Sequence, residues 1–431
     1  MATVTVDQAK LVLNSFAAIF QNNITASELV TWRKFDGEMN DRNGLNVVEQ
    51  VSPDYSTTFT TNAVADLSGG VQDTTFGSEQ YKLTQVISSS MGWADFVKIR
   101  DLGAARESQA LRKAALRLAT DIDAYIIGYA AKASNNWVGN TNGTNSVSSW
   151  NDLATAVTRL KKEGVEDDFR AVLSYDDWQA LGNNVVSNNA SLTNLGDGMY
   201  RNGFSGNIAG IPTLFTQQLQ PLTVGTRVAS ATTLTNQPST PAVTYASVAI
   251  SGAPGQFKTS TINLDGQSGS VTLVDGEVFT IAGVYAYDPR AKKRLEHLQQ
   301  FRVIGNYTAS AGAFSNVRIF PAIIDSGVYQ TISNSNANYD NLAVTHIGTA
   351  STATMPRFLA NKDAVVINTA DLIIPATGTA SRKALTKVPL SVRMWQDSKF
   401  ETGEHRIRFD VALEANVMAD GRTRIIRLNG A

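Results

Sequence analysis

Residues 101–132, DLGAARESQALRKAALRLATDIDAYIIGYAAK, constrain this chain more than any other stretch. Leu111, Ala115, Leu118, Ile122, Tyr125 and Tyr129 recur at steps of four, three, four, three and four, the period of one apolar helix stripe. Arg106, Glu107, Arg112, Lys113, Arg117 and Asp121 fall between them, on a side that faces solvent or an interface. Ala, Leu and Arg dominate and proline is absent, so propensity agrees with pattern. Roughly thirty residues at about 1.5 Å each make a rod of about 45 Å, against a mean helix of about 11–12 residues. Any fold must be arranged around that rod.

Residues 1–36 carry an imperfect helical stripe (Val6, Ala9, Leu11, Val12, Leu13, Phe16, Ile19, Phe20) and predict an arm that docks elsewhere, with Trp32 and Phe35 as anchors. Residues 44–102 alternate and turn, and predict an extended two-stranded ribbon. A lone hairpin of that length is marginal in water, so it needs a surface to lie on.

Past the long helix, Trp150–Glu163 returns to helical spacing and Gly164 suits a C-cap. Residues 169–174 predict a strand and 175–181 a short helix, an α+β alternation. A Pro/Ser/Thr-rich shift at residues 229–243 marks a boundary, after which the pattern is β only. Val271–Val274, Asp275-Gly276 and Glu277–Tyr285 predict a hairpin. A second polar boundary at 331–341 closes this β insertion. In the tail, His405, Ile407, Phe409, Val411 and Leu413 share one strand face, while Arg406, Arg408, Asp410 and Glu414 share the other. Asp420-Gly421 then predicts a paired return strand through Leu428.

Composition narrows the function. Only 17% of residues are charged, against about 25% in typical proteins; neutral polar residues replace the missing charge, which suits a surface used for contacts between chains. Net charge of −1 argues against a dedicated nucleic-acid binder. Absence of cysteine removes disulfides and thiolate zinc sites. No export signal and no membrane span are expected.

A search for chemistry returns little. His297, His346 and His405 stand alone, without metal-ligand spacing or a nucleophile partner. Gly203-Phe204-Ser205-Gly206 lacks the glycine that a nucleophile elbow needs at 207, and no phosphate loop occurs. Asp121 and Asp123 point apart on their helix; Asp167-Asp168 and Asp176-Asp177 suit helix N-termini. No catalytic, cofactor-binding or metal residue is assigned. From Lys399 onward, six Lys/Arg stand against five Asp/Glu, a mixed ladder suited to pairing between chains.

The order of these parts resembles the tailed-bacteriophage major capsid (coat) protein, whose fold is shared with encapsulins and herpesvirus capsid floors. The inserted β unit resembles the short-tailed-phage subtype that carries an extra β-barrel. The resemblance rests on Val48-Glu49-Gln50-Val51-Ser52-Pro53, Arg100-Asp101-Leu102, Tyr200-Arg201-Asn202-Gly203 with Ala209-Gly210, and Phe279-Thr280-Ile281-Ala282-Gly283-Val284. It implies an α+β fold with an N-terminal arm (1–43), extended β-hairpin (44–100), spine helix (101–133), peripheral and axial α+β body (134–225), β-barrel insertion (226–344) and a return to C-terminal strands (345–431). It implies a non-enzymatic shell subunit with no cofactor, forming pentamers and hexamers around double-stranded DNA contacted non-specifically. A scaffolding protein and a portal are the expected partners, with no membrane, and assembly in the host cytoplasm places the product in the virion. Glu49, Gln50, Arg106, Arg112, Arg406, Arg408, Asp410 and Glu414 are the expected inter-subunit contacts. An encapsulin-like cargo shell, or a secreted β-rich carbohydrate-active enzyme or adhesin, are the alternatives.

Overall fold

The apolar period of residues 101–132 folds as one thirty-residue helix. It is the second of four α-helices among the described residues: α1 Val6–Asn23, α2 Ala104–Ala133, α3 Trp150–Lys162 and α4 Tyr175–Asn188. The computed structural model describes residues 6–39, 45–51, 77–83, 85–93, 104–142, 145–166, 168–188, 207–208, 210–228, 233–234, 243–250, 253–326, 330–336, 338–375, 379–399, 404–417 and 424–430. On α2, Leu111, Ala115, Leu118, Ile122 and Tyr129 are buried as their spacing requires, and Ala114, Ala119, Ile126 and Ile127 widen the stripe. Arg112, Lys113 and Arg117 stay exposed, with Arg117 paired to Asp121 one turn on at 3.0 Å.

The chain divides into two compact units. The first contains residues 1–47, 81–129 and 365–417. Its sheet runs Thr31–Met39, Val365–Leu372, Glu404–Val417, Ser391–Lys399 and Thr379–Ala384, with Val86–Trp93 also paired to Glu404–Val417. Strand Thr31–Met39 lies parallel to Val365–Leu372, Thr31 opposite Val366, so the two ends of the sequence share one ladder. Helix α1 docks on its own chain: Leu13, Phe16, Ala17 and Phe20 are buried, and Phe16 stacks on Phe409 with ring centroids 3.8 Å apart. Trp32 and Phe35, the expected anchors, are only half-buried, because both sit on a strand rather than on the docking helix.

The middle of the expected ribbon, residues 52–76, lies outside the described residues. Leu45–Val51 pairs with Gly77–Leu83 as a separate two-stranded ladder. Val86–Trp93 leaves it for the main sheet, with Val86 opposite Ala412 and Trp93 opposite His405.

The second unit contains residues 48–80, 130–364 and 418–431. One of its sheets runs Asn136–Val138, Ile425–Leu428, Arg357–Asn361, Phe169–Leu173, Ile211–Phe215 and Asn207–Ile208. Leu153, Ala156 and Leu160 of α3 and Leu181 of α4 share a core with Ala171, Leu173, Leu359 and Ile426 of that sheet. Ser149 caps α3 through a reciprocal bond pair with Asp152, and Gly164 ends that segment at φ +80°.

The expected two-strand finish does not form. Ile425–Leu428 joins Arg357–Asn361 and Asn136–Val138, not the strand that precedes the turn. The turn itself, Asp420-Gly421, lies outside the described residues. Asp168, expected at a helix N-terminus, instead immediately precedes a strand and meets Arg170.

The β insertion is an eight-stranded sheet drawn from Thr233 to Ile347. Its core includes Ile262, Leu264, Phe279, Ile281, Phe301, Val303, Val317 and Ile319. The described pairing runs as an open path, from Thr233–Leu234 and Val243–Ile250 to Ile332–Asn334 and Val344–Ile347. The Asp275-Gly276 turn is present, with Gly276 at φ +89°. It does not close the expected hairpin, because Thr272–Leu273 pairs with Tyr307–Thr308 instead.

Candidate functional site

The first candidate surface is the C-terminal ladder. On Glu404–Val417 the alternation holds for Ile407 and Phe409, which are buried, against Arg406 and Arg408, which are exposed. From Asp410 to Val417 every residue is buried, so both faces of the strand are covered there. Asp410 is held by Arg393 through Nη2 at 2.6 Å and Nε at 3.1 Å, and by Arg408 Nε. Arg408 also reaches Ser88 Oγ at 3.0 Å. Glu414 lies opposite Asn368, inside the sheet. Asp410 and Glu414, both expected at inter-subunit contacts, are buried within the chain, while Arg112, Arg406 and Arg408 lie on its surface. Glu49, Gln50 and Arg106 lie outside the residues whose side chains are described.

Pattern reading missed the groups that hold these surfaces in place. Asp123, buried on α2, accepts bonds from Thr25 N at 3.0 Å, Thr25 Oγ1 at 2.7 Å and Ala26 N at 3.0 Å. Burial pushes its carboxyl above the ordinary range, and the three donors oppose that shift. Tyr125, two residues further along α2, accepts a bond from Ala415 N. Burial pushes its phenol up to about 12, with the Glu414 charge adding. Steps of three and four announce that a helix face is buried, but not which acid on that face is a clasp.

In the second unit, the last carbonyls of α2 would otherwise be orphans. Arg427 Nε and Nη2 donate to Ala131 O at 3.1 and 3.0 Å, and Arg302 Nη1 donates to Lys132 O at 3.0 Å. Burial brings the Arg427 guanidinium down to about 10, and the neighbouring Arg302 charge adds to that. Cations at a helix C-terminus also meet the negative end of its dipole.

The insertion meets the α/β layer of the same unit through polar groups. Glu163 accepts from Asn136 Nδ2 at 2.7 Å and lies 3.2 Å from His297 Nε2. Gln300 exchanges bonds with both backbone groups of Trp137. Within the insertion, buried Arg227 pairs with Glu277 at 2.7 Å and donates to the carbonyls of Ile347 and Gly348. His346 lies nearby; neither ring nitrogen has a protein partner, and its ring sits 5.7 Å from that of Phe279.

Asp177 is a third hub. Its carboxylate accepts from Ser174 N and Oγ, capping α4, from Val147 N at 2.8 Å, and from Arg357 Nε at 2.6 Å. The Ser174-x-x-Asp177 spacing is a capping signature visible in sequence, though its tie to Val147 is not. At the starts of α3 and α4 three aromatic side chains stay in solvent: Trp150 at 66%, Tyr175 at 53% and Trp178 at 44% exposure. Among the described residues, no group of three His, Asp or Glu side chains is placed to hold a metal ion. No helix among them is long and apolar enough to cross a membrane.

Such an arrangement fixes and displays surfaces. The family model described as P22 coat protein - gene protein 5 matches residues 1–420. No curated protein matches the chain. Among solved structures, the chain is similar to the capsid of Ralstonia phage GP4 at 9% identity and TM-score 0.45, covering 96% of this chain and 91% of that one. It is similar to the capsid of cyanophage P-SCSP1u at 10% identity and TM-score 0.44, covering 94% and 87%. A virus-like particle from Pyrococcus furiosus follows at 7% identity and TM-score 0.37, covering 97% and 98%. The family match carries the assignment.

The chain belongs to the P22 coat protein family. It is a major capsid protein of a tailed bacteriophage, with the α+β fold of that class, and copies of it form the icosahedral shell of the virion. The cargo-shell and secreted-enzyme alternatives are set aside by that match.

Proposed function

We propose that the shell is built from pentamers and hexamers of this subunit and encloses double-stranded DNA without chemistry of its own. The observation that carries the reading is the ribbon Leu45–Val51 with Gly77–Leu83. Among the described residues it pairs with no third strand, and a hairpin of this kind is marginal in water without a surface beneath it. A neighbouring copy supplies that surface. In this reading α2 is the spine, the strands around Glu404–Val417 form the peripheral part and the layer carrying α3 and α4 the axial part. Arg112, Arg406 and Arg408 then face adjacent subunits.

Assembly takes place in the host cytoplasm with a scaffolding protein and a portal, as the family resemblance implies. Net charge of −1 supports loose, non-specific contact with the packaged genome, since tight binding needs many neutralised phosphates.

The test is production in bacteria, alone and together with the neighbouring viral genes, followed by sedimentation and negative-stain microscopy. Closed shells of uniform wall thickness are expected. Shells only in the presence of the neighbouring genes would locate the scaffold requirement. A small oligomer under both conditions would refute the proposal.

A further inference from the structure

The insertion is entered through residues 222–228 and left through residues 347–354, and the two segments run side by side. Leu222–Thr223 pairs with Ala353–Thr354. Val224 N donates to Thr352 O at 3.0 Å, and Ser351 N donates to Gly225 O at 3.1 Å. They form a neck. A β-carbon on Gly225 would stand 2.1 Å from Thr272 O, and Gly348 holds φ +97°, so this close approach requires glycine at both places.

Arg227 ties this neck across. Its Nε donates to Glu277 at 2.7 Å, and its Nη2 donates to Ile347 O at 3.0 Å and Gly348 O at 3.2 Å. A side chain of the entering segment thus grips the leaving one. Glu277, the counter-charge, also accepts from Gly225 N at 2.9 Å and Val274 N at 2.7 Å. His346 immediately precedes the first gripped carbonyl and is buried, its ring 5.7 Å from that of Phe279. Neither of its ring nitrogens has a protein partner, and neither has Arg227 Nη1. Burial disfavours an imidazolium at His346, and the charge of Arg227, the charged group that acts on this ring, disfavours it further.

We propose that the neck is a proton-operated clasp: a proton taken up by His346 drives the Arg227 guanidinium off the Ile347 and Gly348 carbonyls and opens the neck while the insertion core stays folded. Two neighbouring cations repel strongly where the dielectric is low, and opening lets water solvate both. The two carbonyls that lose their donor are solvated in the same step. The core residues Ile262, Phe301, Val303, Val317 and Ile319 carry no group that takes up a proton, so acid has no direct hold on them. The neck is therefore the part that opens first, as a local unit within a structure of uneven stability.

Amide exchange of the full chain between pH 7 and 5, followed by mass spectrometry and corrected for the intrinsic rate, is the test. Peptides covering 222–228 and 347–354 report the neck, and peptides covering 258–264 and 314–320 report the core. The closed neck refuses the proton that the open neck accepts, so neck exchange should rise by up to about tenfold per pH unit below about 6.5. Core peptides should stay more protected than the neck by about tenfold or more at every pH, because the neck opens without them. His346→Leu should abolish the rise, and His346→Gln, which does not titrate either, serves if the leucine variant fails to fold. Neck exchange that ignores pH, or a rise that persists when His346 is replaced, would overturn the inference. Equal protection of neck and core would also overturn it, since the insertion would then unfold as one piece.

Discussion

Arg427 grips the Ala131 carbonyl with two nitrogens of one guanidinium, Nε at 3.1 Å and Nη2 at 3.0 Å, across 296 residues of sequence. The same Nη2 reaches Gly276 O at 2.7 Å. One side chain from a C-terminal strand thus satisfies the end of α2 and the Gly276 turn within the insertion. Arg427→Leu is expected to destabilise the subunit by about 2–4 kcal/mol, since two buried carbonyls lose their donor. Arg427→Lys should recover little, because an ammonium cannot present the same planar fork. Urea denaturation of the unassembled subunit is the check.

Removing the Asp123 carboxylate should detach the segment that follows α1. Asp123→Ala leaves the Thr25 and Ala26 amides without their acceptor, an expected loss of about 1–3 kcal/mol. Faster amide exchange confined to residues around 24–30 would locate it. Uniform exchange across the chain would argue against a local clasp.

Asp177 and Arg357 should behave asymmetrically. Asp177→Asn leaves the buried Arg357 guanidinium its bond to Asn145 O but removes the charge it pairs with, and about 3–5 kcal/mol is the expected cost. Arg357→Met should cost less, because the carboxylate keeps Ser174 and Val147 as donors. The double variant should cost less than the sum, a coupling read from a double-mutant cycle.

Acid should weaken the insertion through His346. Burial, reinforced by the Arg227 charge, holds its imidazole well below the ordinary 6.5. Below that pH the unfolded chain takes up a proton that the folded chain refuses. Stability is therefore unaffected above pH 6.5 and falls as pH drops toward the folded value, by up to about 1.4 kcal/mol per pH unit. His346→Leu should flatten the stability profile between pH 6.5 and 5; an unchanged slope would reassign it to other groups.

What pattern could reveal was local. The helix over 104–133, the Gly164 end of α3 and the turn at Gly276 follow from periods and dipeptides confined to one stretch of chain. Partner choice did not follow. Ile425–Leu428 pairs with Arg357–Asn361, some seventy residues back, and Thr272–Leu273 with Tyr307–Thr308 across the intervening strands. An alternating strand carries no mark of which neighbour it will meet. The burial of Asp410 and Glu414 was hidden for a related reason: alternation predicts one wet face, and this strand is covered on both sides from Asp410 onward. Trp150 was legible as a helix start, and its exposure emerged only once the fold had placed it.

The ladder between Thr31–Met39 and Val365–Leu372, with Phe16 stacked on Phe409, has a consequence for synthesis. Helix α1 leaves the ribosome among the first residues and has its docking site among the last. At about 5–20 residues per second, that delay is on the order of half a minute. Until then Phe16 and Phe20 have no sheet to cover, and the first unit cannot close. A chain cut short before residue 365 lacks the strands that receive its beginning. The first unit is therefore complete only once synthesis has passed Val417.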